Sequence, residues 1–322
     1  MININEFMEM AKEEIVEMLP GDLTKDLVIE SNRVVKMNDQ VYNGLTIRKE
    51  NEETAPTIYM NEKFDRYMQG YPLKALMAES VQEYLDAIVS KPEIVETSLT
   101  FDKVRDNLTI RIVEIDRNKE FLQKIPYMMM GNGFAAICDI KVHEDNSGYW
   151  KTTITRELMM ENNYDKTEMF KAAIENCQLK DPVVLSTMES QLFFDDKENL
   201  LDMDGNIPES KKSHMYVLTN EENMLGSATL FYPGVQEKIA EKLGEGYLVL
   251  PSSVHELIIV PESSGITPRD AAEMVHEANH SGIVDPKDVL SDNVFRYDKD
   301  TRKLETIRSE LAREVRDDNI RS

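Results

Sequence analysis

Cysteine is scarce: the 322-residue chain has two, Cys138 and Cys177, each among apolar neighbours. Two thiols cannot build a disulfide framework, so a small disulfide-stapled scaffold is excluded and buried thiols are expected. Basic residues are also short, 37 against 60 acidic ones, for a formal net charge of -23. Nucleic-acid binding draws much of its affinity from Lys and Arg neutralising phosphates, so direct binding of DNA or RNA is not expected. Long hydrophobic runs are missing: the apolar stretch from Tyr127 to Ile140 is interrupted by Gly131, Asn132 and Gly133, and it falls short of the roughly 20 residues of a membrane span. The opening Met-Ile-Asn-Ile-Asn-Glu-Phe lacks the basic and apolar regions of a secretory signal, so a cytoplasmic location is expected. There is no P-loop, and Gly131-Asn132-Gly133 does not continue into a dinucleotide-binding glycine pattern.

What is present reads as a folded α+β protein. The residues are 41% hydrophobic and 30% charged, and a chain of this length buries roughly 75% of its unfolded surface without a metal or disulfide. Helical spacing of Phe7, Ala11, Ile15, Met18 and Leu19 predicts an N-terminal amphipathic helix ending at Pro20-Gly21. Leu27 to Met37 and Val41 to Arg48 read as a strand pair, with a turn near Asn38-Asp39 and a second turn or bulge at Asn43-Gly44. Helices are expected between Met60 and Ser90, broken near Gly70 to Pro72, and at Thr155 to Met160 and Lys166 to Cys177. Leu108 to Ile115 and Phe134 to Val142 read as strands, the second buried on both faces. Further on come strands at His214 to Thr219, Gly246 to Leu250, His255 to Val260 and Asn293 to Tyr297, with helices at Val235 to Leu243, Pro268 to Ser281 and from Lys303. Mixed or antiparallel sheets with packed helices are implied, because strands and helices do not alternate regularly. The acidic stretch 189–213 reads as a loop or linker between an N-terminal subdomain, 1–188, and a C-terminal one, 214–322.

Several residue groups have the composition of reactive sites. His276-Glu277-Ala278-Asn279-His280 fits the H-E-x-x-H pattern, in which two histidines one helical turn apart bind Zn²⁺ and the glutamate acts as general base. The apolar stripe Ala271, Met274, Val275 and Ala278 leaves both histidines toward solvent, and a third ligand would have to be an acid such as Glu305, Glu310 or Glu314. No metal or other cofactor is therefore expected, with zinc at His276 and His280 as the alternative. Pro251-Ser252-Ser253-Val254-His255-Glu256 brings a serine, a histidine and an acid together. It has no nucleophile-elbow glycines, and reads more simply as the polar turn of a hairpin. Cys138 with His143 or His255 would make a thiol-imidazole pair only if the fold joined them, and Asp202-Met203-Asp204-Gly205-Asn206 lacks EF-hand spacing. Nineteen methionines, Met128 to Met130 among them, suit either core filling or an adaptable binding surface. Leu304, Ile307, Leu311 and Val315 form a helical seam able to dock on its own domain or on a second copy as a homodimer.

Gly44-Leu45-Thr46-Ile47-Arg48-Lys49, Ala55-Pro56-Thr57-Ile58-Tyr59, Met215 to Asn220, Ile239 to Gly244, Leu250-Pro251-Ser252-Ser253-Val254-His255-Glu256 and Leu290-Ser291-Asp292 together carry a resemblance. Through them nearly the whole chain resembles a domain-of-unknown-function family of Gram-positive bacteria, and the order from Phe134 onward is similar to a shorter uncharacterised family. The resemblance brings no catalytic residue, but it implies that Ser252, Ser253, His255 and Glu256 belong to the family signature. The expected function is a protein-binding or regulatory module without catalysis, its unknown protein partner held through the acidic loop or the C-terminal helix. A hydrolase, using zinc through His276, Glu277 and His280 or using Ser253 with His255, is the alternative. An acidic DNA-mimic inhibitor is the third reading.

Overall fold

The computed structural model describes residues 2–21, 23–50, 55–89, 99–145, 148–193, 198–251 and 253–307, without the side chains of 89, 142–145, 148–150 and 192–193. The chain divides into two compact units, Met1–Ser98 and Leu99–Ser322.

In the first unit, α1 (Ile4–Met18) begins at a capping box: the Asn3 side chain accepts from the amides of Asn5 and Glu6, and the Glu6 carboxylate accepts from the Asn3 amide. It buries Phe7, Ala11 and Ile15. Strands β1 (Leu27–Val35) and β2 (Val41–Lys49) form an antiparallel pair, turned at Asn38 and Asp39 with φ of 60° and 50°, a left-handed conformation these short polar residues tolerate. Asn43 and Gly44 make no second turn; they lie inside β2 beside β3 (Thr57–Tyr59). Glycine is needed there because a Cβ on Gly44 would lie 2.5 Å from Thr57 Cγ2. Helices α2 (Asn61–Met68) and α3 (Leu73–Val89) complete the unit. Leu45, Ile47, Met60, Leu76 and Met77 lie in its core.

The second unit contains α4 (Phe101–Val104), β4 (Leu108–Glu114), α5 (Phe121–Lys124), β5 (Tyr127–Gly131), β6 (Phe134–Asp145), β7 (Gly148–Thr153), α6 (Arg156–Glu161), α7 (Lys166–Lys180) and β8 (Val183–Thr187). It continues through α8 (Met188–Phe193), β9 (Tyr216–Asn220), α9 (Val235–Leu243), β10 (Tyr247–Leu250), β11 (Leu257–Pro261), α10 (Pro268–His280), β12 (Val294–Asp298) and β13 (Lys303–Ile307). One sheet has the order β4-β6-β5, with β7 also on β6; the other is six-stranded, β13-β12-β10-β11-β9-β8. Their pairings are antiparallel. Phe134 of β6 meets Phe295 of β12 and Phe231, with ring centroids 5.0 and 5.4 Å apart, so aromatic packing ties the two sheets together. Helix α10 packs Ala271, Ala272 and Val275 into the core beside Leu248, Leu250 and Val294. The architecture is α+β throughout, and among the described residues no helix is long and apolar enough to cross a membrane.

Further sequence readings change. The segment 189–213 falls within the second unit, because β8 and β9 on either side of it pair along five residues. It is also anchored: Leu200 and Leu201 are buried, the Ile207 amide donates to Lys242 O, and Lys242 Nζ reaches Met203 O. Lys303–Ile307 is a strand, not the start of a helix; Leu304 and Ile307 pair with Tyr297 and Val294. Leu311, Val315, Glu310 and Glu314 lie outside the described residues. Finally, Tyr127–Gly131 is a strand in its own right, turned into β6 at Asn132 and Gly133, whose φ values are 52° and 81°.

Candidate functional site

The Ser253–Glu256 stretch joins β10 to β11, and its polar atoms are taken up by the backbone. Ser253 is 4% exposed, and its Oγ accepts from the His255 amide at 3.0 Å. His255 Nδ1 accepts from the Leu225 amide at 3.2 Å. That bond places the proton of a neutral ring on Nε2, 3.6 Å from the Asp288 carboxylate. No hydrogen bond links Ser253 to the imidazole, so a nucleophile-base pair is not assembled. Glu256 makes no hydrogen bond or ion pair among the described residues, and Ser252 lies outside them.

Around His255 the chain is tightly interlocked. Its carbonyl accepts from Thr219 Oγ1 at 2.9 Å, the Val254 amide donates to Asp288 O, and the Val254 carbonyl accepts from the Ser227 amide. Leu225 enters this contact with φ of 57°, and Gly226 follows because its backbone touches β9 and the His255 carbonyl. Ser253 also bridges to Val289. The signature residues thus join β9, β11, the 225–227 turn and the segment after α10.

The H-E-x-x-H residues lie on α10, which begins at a capping box of Thr267 and Asp270. The rings of His276 and His280 stack with centroids 4.2 Å apart, and His280 Nδ1 donates to His276 O at 2.9 Å. Glu277 is exposed. Among the described residues no group of three or more His, Cys, Asp or Glu side chains could hold a metal ion, and Glu305 stands on β13. Asp202 faces Lys238 at 3.7 Å. Cys138 and Cys177 are buried, and burial pushes both thiols above their ordinary range, away from the reactive thiolate. The side chain of His143 lies outside the described residues.

Sequence reasoning missed a buried polar network at the end of β4. Glu114 is 7% exposed; its Oε1 accepts from Ser291 Oγ and Asn293 Nδ2, each at 2.7 Å. Asn118 donates to the Glu114 carbonyl, Arg117 pairs with Asp292 at 2.6 Å, and Asn279 of α10 donates to Asp292 and to Ser291 O. Leu290-Ser291-Asp292 stands out in sequence, but its partner Glu114 is 177 residues away, and no local pattern announces it.

Burial raises the Glu114 pKa, against the lowering effect of its two hydrogen bonds. A carboxyl whose folded pKa lies above its unfolded value contributes stability that is complete below the unfolded value, about 4.3, and is lost as pH rises through the folded one. Glu114→Gln keeps the accepting oxygen without the charge. We expect its urea midpoint to exceed that of the wild type at pH 8, with the gap narrowing toward pH 5, whereas Glu114→Ala should lose about 2–4 kcal/mol by orphaning Ser291 and Asn293. A Gln variant equally destabilised at both pH values would show the pKa direction to be wrong.

The open feature of the second unit is a groove of about 620 Å³ between α7 and β5, floored by Met128, Phe170, Ile174 and Pro233. Lys166 and Lys171 stand on its rim. Lys171 lies 4.0 Å from Glu175. Lys166 sits 5.8 Å over the Tyr127 ring and has no carboxylate partner among the described residues. A smaller cavity of about 420 Å³ lies where the acidic segment folds back on β8, lined by Thr187, Glu189, Glu198 and Lys211. Lys211 pairs with Glu198, and the Glu189 carboxylate accepts from Ser213 Oγ. The acidic segment therefore spends part of its charge on its own anchoring.

No curated protein and no solved structure matches this chain. One family model does, over residues 4–299, and it spans both compact units and the Ser253–Glu256 signature. The chain belongs to the family of unknown function DUF5688.

Proposed function

We propose that this protein is a binding module, without catalysis or a resident cofactor, that holds an apolar, carboxylate-bearing segment of a protein partner in the groove between α7 and β5. The observation that carries this reading is the groove's composition: an apolar floor of Met128, Phe170, Ile174 and Pro233, with a rim lysine, Lys166, that no carboxylate of the described chain neutralises. In a chain of net charge -23, such a lysine favours an acidic partner locally while the remaining surface repels unselected anions. Apolar side chains entering the floor would supply most of the affinity, at roughly 1.5–3 kcal/mol for each one fully buried. The lysine would chiefly set orientation and on-rate. Polarizable, unbranched methionine at Met128 suits a floor that must adapt to more than one side chain.

The engagement of Ser253 Oγ and His255 Nδ1 by backbone amides supports a structural role for the signature residues. The test is selection from a displayed library of random twelve-residue peptides. Enriched peptides should pair apolar anchors with Asp or Glu. By fluorescence anisotropy, Ile174→Glu should weaken them at least tenfold, and Lys166→Glu several-fold with loss of the salt dependence. Failure to enrich any peptide, or equal binding to Ile174→Glu, would sink the proposal.

A further inference from the structure

Resting on that reading, the geometry points to how the segment is held: we infer that the partner's peptide adds to the outer edge of β5 as an extended strand, with alternate side chains entering the groove beside Met128. β5 ends the order β4-β6-β5. Among the described residues the main chain of Tyr127–Gly131 makes no hydrogen bond beyond its ladder with β6. Its sequence, Tyr-Met-Met-Met-Gly, has no charge and no proline, and Met129 is 63% exposed. An edge of this kind is an open template for another strand, and folded proteins ordinarily protect such edges.

The other edges of this unit are protected. On β4, the Ile110 amide donates to Cys177 Sγ, and Asn176 Nδ2 donates to the Leu108 carbonyl, so α7 covers that side. On β8, the side-chain amide of Asn199 imitates a neighbouring strand: its Oδ1 accepts from the Leu185 amide and its Nδ2 donates to Val183 O. β13 carries Lys303 and Glu305, charges that discourage pairing, and on β7 Lys151 is turned inward, near Asp139 and Asp181. Among the described residues of this unit, β5 combines an uncharged edge with an adjoining apolar groove, and Lys166 stands over Tyr127 at one end of the strand. Strand addition uses these parts in the usual division: main-chain bonds hold the peptide, and the groove and lysine read alternate side chains.

The experiment uses the tightest peptide from the display selection, resynthesised with a single N-methyl group at each position in turn. Strand addition predicts a period-two pattern, with every second N-methyl group weakening binding at least tenfold and those between leaving it nearly unchanged. It also predicts slowed hydrogen exchange at alternate amides of Tyr127–Gly131 in the complex. A peptide that binds, is lost in Ile174→Glu, and yet shows neither effect would overturn the strand geometry while keeping the groove. An unbound chain that is dimeric with those amides already protected would make a second copy the occupant and overturn the proposal. A selection yielding no peptide would overturn groove and strand addition together.

Discussion

Gly226→Ala should unfold the larger unit or leave it barely stable. A Cβ at Gly226 would collide with Thr219 Oγ1 and lie 2.7 Å from both Asn220 N and His255 O. Two of those atoms belong to the backbone, so no rotamer change relieves the contact. Moving the third breaks the bond from Thr219 to the His255 carbonyl. The neighbouring Leu225 amide supports the His255 ring, so a shift of the 225–227 turn also releases the imidazole. We expect a loss of about 4 kcal/mol or more, much of the 5–15 kcal/mol that stabilises an ordinary domain. Gly234→Ala is the control: its φ of 79° is strained for alanine, but nothing stands within 4 Å of the new Cβ, so about 1–2 kcal/mol is expected. A urea titration followed by circular dichroism gives the unfolding midpoint of each variant. A Gly226→Ala midpoint no lower than that of Gly234→Ala would show that the turn can relax and that the interlock around His255 is loose.

Phe134→Ala should have an effect of similar size for a different reason. The ring is 2% exposed and is the contact through which β6 meets Phe231 and Phe295. Truncation removes its transfer energy, leaves a cavity between two sheets that cannot collapse independently, and abolishes two aromatic pairs. About 3–5 kcal/mol is expected for the truncation, with the ring pairs contributing about 0.5–1.5 kcal/mol each beyond burial. Phe134→Leu should recover about half of the loss. Met160→Ala, at a side chain 67% exposed, should stay within about 0.5 kcal/mol. Equal midpoints for Phe134→Ala and Met160→Ala would mean that the sheets are joined elsewhere.

Local signals were reliable where local physics decides. The capping boxes that start α1 and α10, Asn3 with Glu6 and Thr267 with Asp270, are local by nature, because a capping residue and its partner are three residues apart. Pro251 to Glu256 reads as a hairpin turn and joins antiparallel β10 and β11, although the strand expected from His255 begins only at Leu257. Leu304 and Ile307 suit a helical stripe as well as a strand, and a five-residue element is too short for its period to arbitrate, so pairing with β12 decides β13. The Met128 to Met130 run and Val183 to Thr187 are likewise brief, and pairing with β6 and β9 makes them strands.

The candidate site was legible only as a list of residue types. Sequence spacing put Ser253, His255 and Glu256 together but could not show that the serine hydroxyl faces the His255 amide or that the imidazole faces Leu225. The groove draws on β5, α7 and Pro233, and the Glu114 network joins β4 to Ser291 and Asn293. By itself the sequence determined the α+β class, the capped helices, the hairpin turns and the acidic balance, because each depends on composition or on residues a few positions apart. The tertiary structure alone decided which polar side chains are consumed in holding the chain together and which strand edge stays open, because hydrogen-bond partners and edge cover come from segments far apart in sequence.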